Sequence, residues 1–298
     1  MPNAPNGKAL AARLATLQER ASRCTYRGKY REAASCLHKG LRLMGSAASF
    51  PTYDHLALWN ELGIVYKYLG RFKTAQKFYG IALQHSSSCL NGPNRYDFLA
   101  NLYHNLGGLE HSRGRFSRGE RYARKSLQFR ARAAGASSIA VAADRAALAA
   151  ILDGLRKFNE SQKLYRKALK TYRRVYGKSH REIAFILNNL AAVYQATGQP
   201  SRAESHYRAA LAMKRQKLGK AHPDVAITMN NLAMLYASLG REPEARLWFE
   251  KALKLLGNSL GKSHPNTLAV KRNLQKVKTT SPMRAVKIPR KAGKRFTR

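Results

Sequence analysis

Apolar residues recur along this chain at helical spacing, and the helices they predict come in pairs. Leu187, Leu190, Ala191 and Tyr194 fall at i, i+3, i+4 and i+7, one apolar stripe on one helix. Gly198 breaks that helix and Pro200 stands where the next begins, since a proline at the first helical position gives up an N–H that has no partner anyway. Ala203, Tyr207, Ala210 and Leu211 form a second stripe, in which the alanines let the two helices approach and Tyr207 fills the space beside them. Neither helix can bury its stripe alone, so neighbouring pairs must stack.

The pattern repeats with a period of 42 residues. Gly177-Lys178-Ser179-His180 recurs as Gly219 to Pro223 and as Gly261 to Pro265, and Asn188-Asn189-Leu190 recurs as Asn230-Asn231-Leu232 and Arg272-Asn273-Leu274. A turn-plus-helix anchor extends the ladder to the N-terminus: Gly28 to Ala33, Gly70 to Ala75, Gly114 to Gly119, a degraded copy from Arg156 to Ser161, Gly198 to Ala203, and Gly240 to Ala245. The steps between anchors are 42, 44, 42, 42 and 42. Six units and a final half-unit after His264 cover residues 8 to 277, which predicts an all-α solenoid capped by a last helix.

Trp59, Leu62, Gly63 and Tyr66 in a first helix, followed by Ala75, Tyr79 and Ala82 in a second, resemble the tetratricopeptide repeat family. The long period and the His-Pro and Asn-Asn-Leu signatures resemble its kinesin-light-chain-like subclass. The resemblance implies a right-handed α-solenoid of helix-turn-helix units, serving as an adaptor without catalytic activity. It also implies that the first helices of successive units line the concave face. The residues beyond the 34 of the common family repeat amount to about two helical turns, so each helix is expected to be about one turn longer.

Charge changes the picture next. The chain of 298 residues carries 55 Lys and Arg against 16 Asp and Glu, a net of +39. Arg113, Arg115, Arg118, Arg121, Arg124, Lys125, Arg130 and Arg132 crowd the third unit, and Lys163, Arg166, Lys167, Lys170, Arg173 and Arg174 crowd the second helix of the fourth. Such a field favours acidic partners, whether nucleic acid, acidic protein segments or anionic lipid; a solvated outer face is the plainer reading. Residues 278 to 298 fall outside the repeat. They hold eight bases, Arg290, Lys291, Lys294 and Arg295 among them, and no acid, so a disordered electrostatic arm is expected. No apolar stretch approaches the 18 residues of a membrane span. Residues 8 to 23 are amphipathic and basic, which fits the first repeat helix and also an organellar transit peptide. Cys24, Cys36 and Cys89 lack metal spacing and read as reduced thiols of a cytoplasmic protein.

Candidate chemistry is sparse. His180, His222 and His264 stand one to a unit, at least a helix-packing distance of about 8–10 Å apart, too far to share a metal; they read as helix caps. Ser86-Ser87-Ser88-Cys89 beside His85 forms no nucleophile elbow, and no Gly-rich phosphate loop follows a strand. No cofactor is implied. The expected binding residues lie on the first helices, turned away from the apolar stripe: Asn60, Lys67, His104, Asn188, Gln195, Asn230 and Met234, whose amides suit the backbone of an extended peptide. Asn189 and Asn231 are the alternatives in a shifted register, and bonding to their own helix ends and to neighbouring units is the alternative role for the asparagines. Asn, Ala, Met and Ile stand where related chaperone-tail clamps carry Lys and Arg, which disfavours that subtype. The expected polyanion-binding residues are Arg121, Arg124, Lys163, Lys167, Lys170, Arg290, Lys291, Lys294 and Arg295.

Overall fold

A computed structural model describes residues 4–45, 51–90, 92–133 and 138–280. They form α1 (Ala4–Tyr26), α2 (Tyr30–Met44), α3 (Tyr53–Tyr68), α4 (Phe72–Cys89), α5 (Gly92–Ser112), α6 (Phe116–Ala133), α7 (Ile139–Gly154), α8 (Phe158–Tyr176), α9 (Arg181–Ala196), α10 (Pro200–Leu218), α11 (Pro223–Ser238), α12 (Glu242–Ser259) and α13 (Pro265–Thr280). No strand occurs among the described residues. The last three helical residues belong to the stretch expected to be a tail; residues 281–298, with Arg290, Lys291, Lys294 and Arg295, lie outside the described residues.

Each unit is a hairpin closed at the anchor turn, by a glycine in every unit but the fourth. At the end of α3, Gly70 adopts φ 71° and donates to the Lys67 carbonyl, while the Arg71 N–H reaches the Tyr66 carbonyl at 2.9 Å. This left-handed cap satisfies carbonyls that the helix end leaves over. The degraded fourth anchor keeps the same shape, so Arg156 is forced to φ 60°. Within the hairpins the alanines and tyrosines behave as the stripes require: Ala203 and Ala210 are fully buried beside Tyr207, as Ala75 and Ala82 are beside Tyr79.

The hairpins stack into a solenoid with two layers. From α3 onward the odd-numbered helices pack on one another in succession, whereas the even-numbered ones pack chiefly on their sequence neighbours. The odd helices therefore occupy the inner, tighter side of the curve. The extra length of the period is not all helix: Gly177–His180 and Gly219–His222 form the connections into α9 and α11.

Those connections close the curve. The imidazole Nδ1 of His264 accepts the Asn266 N–H at 3.1 Å, capping α13, so Nε2 carries the proton and donates to the Tyr68 carbonyl at 2.9 Å. His222 repeats the arrangement: Nδ1 accepts from Asp224 N–H and Nε2 donates to the Tyr26 carbonyl at 3.1 Å. Both pairs are separated by 196 residues, between four and five units, so the chain has completed a superhelical turn and met itself. Pro223 packs on Gly28 and Pro265 on Gly70 so closely that a Cβ on either glycine would stand 2.8 or 2.6 Å from the proline Cδ. Tyr26 adds a hydrogen bond from its hydroxyl to the Lys217 carbonyl, 3.0 Å.

Candidate functional site

Closure of the turn makes the inner face a channel rather than an open groove. Its side chains are water-accessible yet ringed by protein, and that combination governs their electrostatics. Lys67, half-exposed at the end of α3, stacks over Tyr68 at 4.7 Å and lies above Gly108 of the next unit. Withdrawal from bulk water lowers its pKa to about 8, against the opposing pull of Asp224. His111, Asp153 and Gln195 occupy the matching positions of the following three units. Burial also lowers the pKa of His111, with Lys67 adding to the effect. Gln195 is held by the Tyr207 hydroxyl at 3.4 Å. Met234 is 44 % exposed, an apolar side chain left open on an inner helix.

The asparagines are tied to one another. Asn231 Nδ2 donates to Asn188 Oδ1 at 3.3 Å and Asn273 Nδ2 to Asn230 Oδ1 at 3.0 Å, each from one unit to the unit before. Within units, Asn188 donates to Asn189 and Asn230 to Asn231. The result is one continuous amide ladder across α9, α11 and α13, which stops where the fourth unit offers Ala146 and Ala147. Asn60 belongs to a second, shorter rung, accepting from Asn105 at 2.9 Å. Neighbour-to-neighbour bonding is thus the role the structure assigns these amides. Each Nδ2 named as a donor has two N–H groups, and Asn230 turns its second towards Met234 Sδ at 3.7 Å.

His104 also finds a partner inside the protein. Its Nδ1 lies 2.8 Å from Asp144 Oδ1, and Asp144, fully buried, is also held by Ser126 at 2.9 Å and Arg130 at 3.0 Å. Arg130 reaches Asn101 at 2.6 Å and pairs with Asp97. These partners hold the Asp144 carboxyl below its usual range although burial pushes the other way. Arg130, one of the bases that crowd the third unit, is buried rather than part of a solvated face, because Asp144 in an apolar helix must have a counter-ion. Arg113 likewise turns to Glu110 and Gln76.

On the outer helices, Arg121, Lys163, Lys167 and Lys170 are exposed, and their side chains make no hydrogen bond or ion pair among the described residues. Arg124 differs, bridging Glu120 at 2.7 Å and Glu160 at 3.1 Å. Cys24, Cys36 and Cys89 are free thiols, and burial raises the Cys24 pKa. Among the described residues no three His, Cys, Asp or Glu side chains converge as metal ligands, and no helix is long and apolar enough to cross a membrane.

A feature that sequence reasoning missed lies at the seam. Between α1–α3 and α9–α11 is a cavity of about 810 Å³. Tyr26, Tyr30, Tyr68 and Phe185 line it together with Glu61 and Arg181. Tyr30 and Tyr68 stack at 4.9 Å, and Arg181 lies over the Tyr26 ring at 5.0 Å while pairing with Glu182. Only the closed turn brings these residues together.

The family described as tetratricopeptide repeat matches residues 98–174, 141–216, 183–258 and 224–274, more than half of the chain. No curated protein matches it. Among solved structures, the chain is similar to BtubC (BKLC) from P. vanneervenii, with 25% identity, a TM-score of 0.53, and coverage of 86% of this chain and 94% of that one. It is similar to kinesin light chain TPR-like repeats from Podosopora anserina, with 20% identity, a TM-score of 0.46, and coverage of 68% and 96%. It is also similar to NprR in complex with its cognate peptide NprX, with 13% identity, a TM-score of 0.65, and coverage of 92% and 75%.

Proposed function

Since the chain belongs to the tetratricopeptide repeat family, we propose that it is a non-enzymatic cytoplasmic scaffold that holds an extended peptide or protein segment along the inner face of its superhelix. The observation that carries this reading is the enclosed channel, with exposed Met234, half-exposed Lys67 and the His111–Asp153–Gln195 level presented by successive units. A repeat protein offers such a surface in place of a reaction chamber. NprR, which shares the fold, has been solved with a peptide bound, in keeping with a peptide as the ligand class.

In this reading the amide ladder fixes the spacing of the inner helices, and its unused N–H groups meet the peptide backbone. Arg121, Lys163, Lys167 and Lys170 supply long-range attraction to an acidic partner, and Arg290, Lys291, Lys294 and Arg295 extend it. The test is retention of short blocked peptides by the immobilised full chain, compared with a Met234→Asp variant. The substitution is expected to weaken retained peptides by about tenfold, since it places a desolvated charge against an apolar contact. Equal retention by both proteins at every sequence would rule out the inner face as the binding surface.

A further inference from the structure

In a chain with 55 bases and 16 acids, every carboxylate has cations to choose from. Among the described residues, which include all 16 acids, only Asp54, Glu61 and Asp153 have neither a hydrogen bond nor an ion pair through their side chains. Asp54 is exposed in the first turn of α3, where a helix N-terminus favours an acid. Glu61 and Asp153 have no such support. Both are half-buried on inner helices, Glu61 in the seam cavity and Asp153 at the level of Lys67, His111 and Gln195. Desolvation raises their pKa values to about 7 and about 6.

Neither position requires an acid for folding. Asn105, Asn189, Asn231 and Asn273 stand at the equivalent of Glu61, and Gln195 at the equivalent of Asp153. A neutral amide therefore fits both sites, and a carboxylate there lacks the partner that burial demands. The bases nearby are engaged or turned elsewhere: Arg181 holds Glu182 and covers Tyr26, and Lys67 covers Tyr68. The rings around Glu61 already carry cations of the protein, Arg181 on Tyr26, Lys67 on Tyr68 and Lys214 on Phe185, so the lining of the cavity is of a kind that accepts a guanidinium or an ammonium group.

We propose that Glu61 and Asp153 are the anchoring sites for two basic groups of the bound segment, so that the ligand is a peptide with Lys or Arg at two places, one entering the seam cavity and one lying in the channel at the fourth unit. The proposal rests on the inner-face reading above and adds to it the chemistry of the ligand. It opposes the simple expectation from net charge, because a molecule of +39 repels basic peptides at long range. A preference for Lys and Arg would have to arise from local carboxylates.

The test passes a positional library of short, terminally blocked peptides over immobilised full-length protein at about 0.15 M salt, where charges beyond roughly 8 Å are screened. Lys and Arg are expected to be enriched at two positions. Neutral replacement at either is expected to weaken binding about tenfold, the size of one charge-assisted hydrogen bond. Glu61→Gln should erase the preference at one position and Asp153→Asn at the other, with both proteins melting at or above the wild-type temperature. Peptides retained without a basic preference, or with one that survives both substitutions, would overturn this proposal and leave the inner-face reading standing. If no peptide is retained, both fall.

Discussion

Replacing Gly70 by Ala should open the superhelical turn. The backbone there has φ 71°, a region that costs an L-residue about 1–2 kcal/mol. That cost alone says nothing about the seam, but Gly240 provides the control, with the same φ and nothing within 4 Å of an added Cβ. At Gly70 the new Cβ would stand 2.6 Å from Pro265 Cδ and 2.8 Å from its Cγ. Relaxing to ordinary carbon–carbon contact needs about 1 Å of movement by a ring fixed at the start of α13. The hydrogen bond from His264 to the Tyr68 carbonyl, 2.9 Å long, cannot survive that shift, and its loss adds about 0.5–1.5 kcal/mol. Urea denaturation should therefore show Gly70→Ala roughly 1–2 kcal/mol less stable than Gly240→Ala, and small-angle scattering should show a larger radius of gyration for Gly70→Ala alone. Equal stabilities with superimposable scattering curves would refute the seam.

Three further outcomes follow from particular residues. Arg156→Gly should stabilise the protein by about 0.5–1 kcal/mol in denaturant melts, because it relieves the positive φ at the degraded anchor. Asn231→Ala removes a donor from Asn188 and an acceptor from Asn230, so stability should drop by about 1–3 kcal/mol, with faster amide exchange in α9 and α11. The pH profile carries two opposite slopes. Glu61 keeps its proton in the folded chain between the ordinary value of 4.5 and about 7 while the unfolded chain has lost it, so its contribution weakens as pH rises across that window; Glu61→Gln should remove that slope and be about 1–2 kcal/mol more stable at pH 8. His180, His222 and His264 have pKa values lowered below 6.5, chiefly by burial, and cap their helices as neutral rings. Their contribution is complete above pH 6.5 and falls on acidification, so the seam should loosen in scattering below that pH.

The hairpins were legible because both signals that define them are local: an apolar stripe of helical period and a glycine at each turn. The caps at His222 and His264 were legible for the same reason. The second nitrogen of each ring was not, since its partner lies 196 residues away, an offset that is no multiple of the 42-residue period. Helical angle placed Asn188 and Asn230 on the inner side, but it could not decide between a ligand and a neighbour; adjacent Asn pairs in consecutive units turned out to be the mark of a ladder. Arg130 shows the converse error. It stands among basic neighbours in the sequence, although Asp144 within the apolar α7 calls for a buried cation. Lys67, Gln195 and Met234 lie on α3, α9 and α11, helices of the layer that packs in succession. Glu61 was passed over because its importance comes from having no partner, which only a three-dimensional census of the acids can reveal.

The most direct measurement of whether the channel holds a peptide is thiol labelling of two single substitutions, Met234→Cys on the inner face and Lys167→Cys on the outer helix α8, with and without a peptide selected by the immobilised chain. Bound peptide is predicted to slow labelling at position 234 by about tenfold or more and to leave position 167 unchanged. Protection at 167 with none at 234 would contradict an inner binding face and move the partner to the basic outer surface.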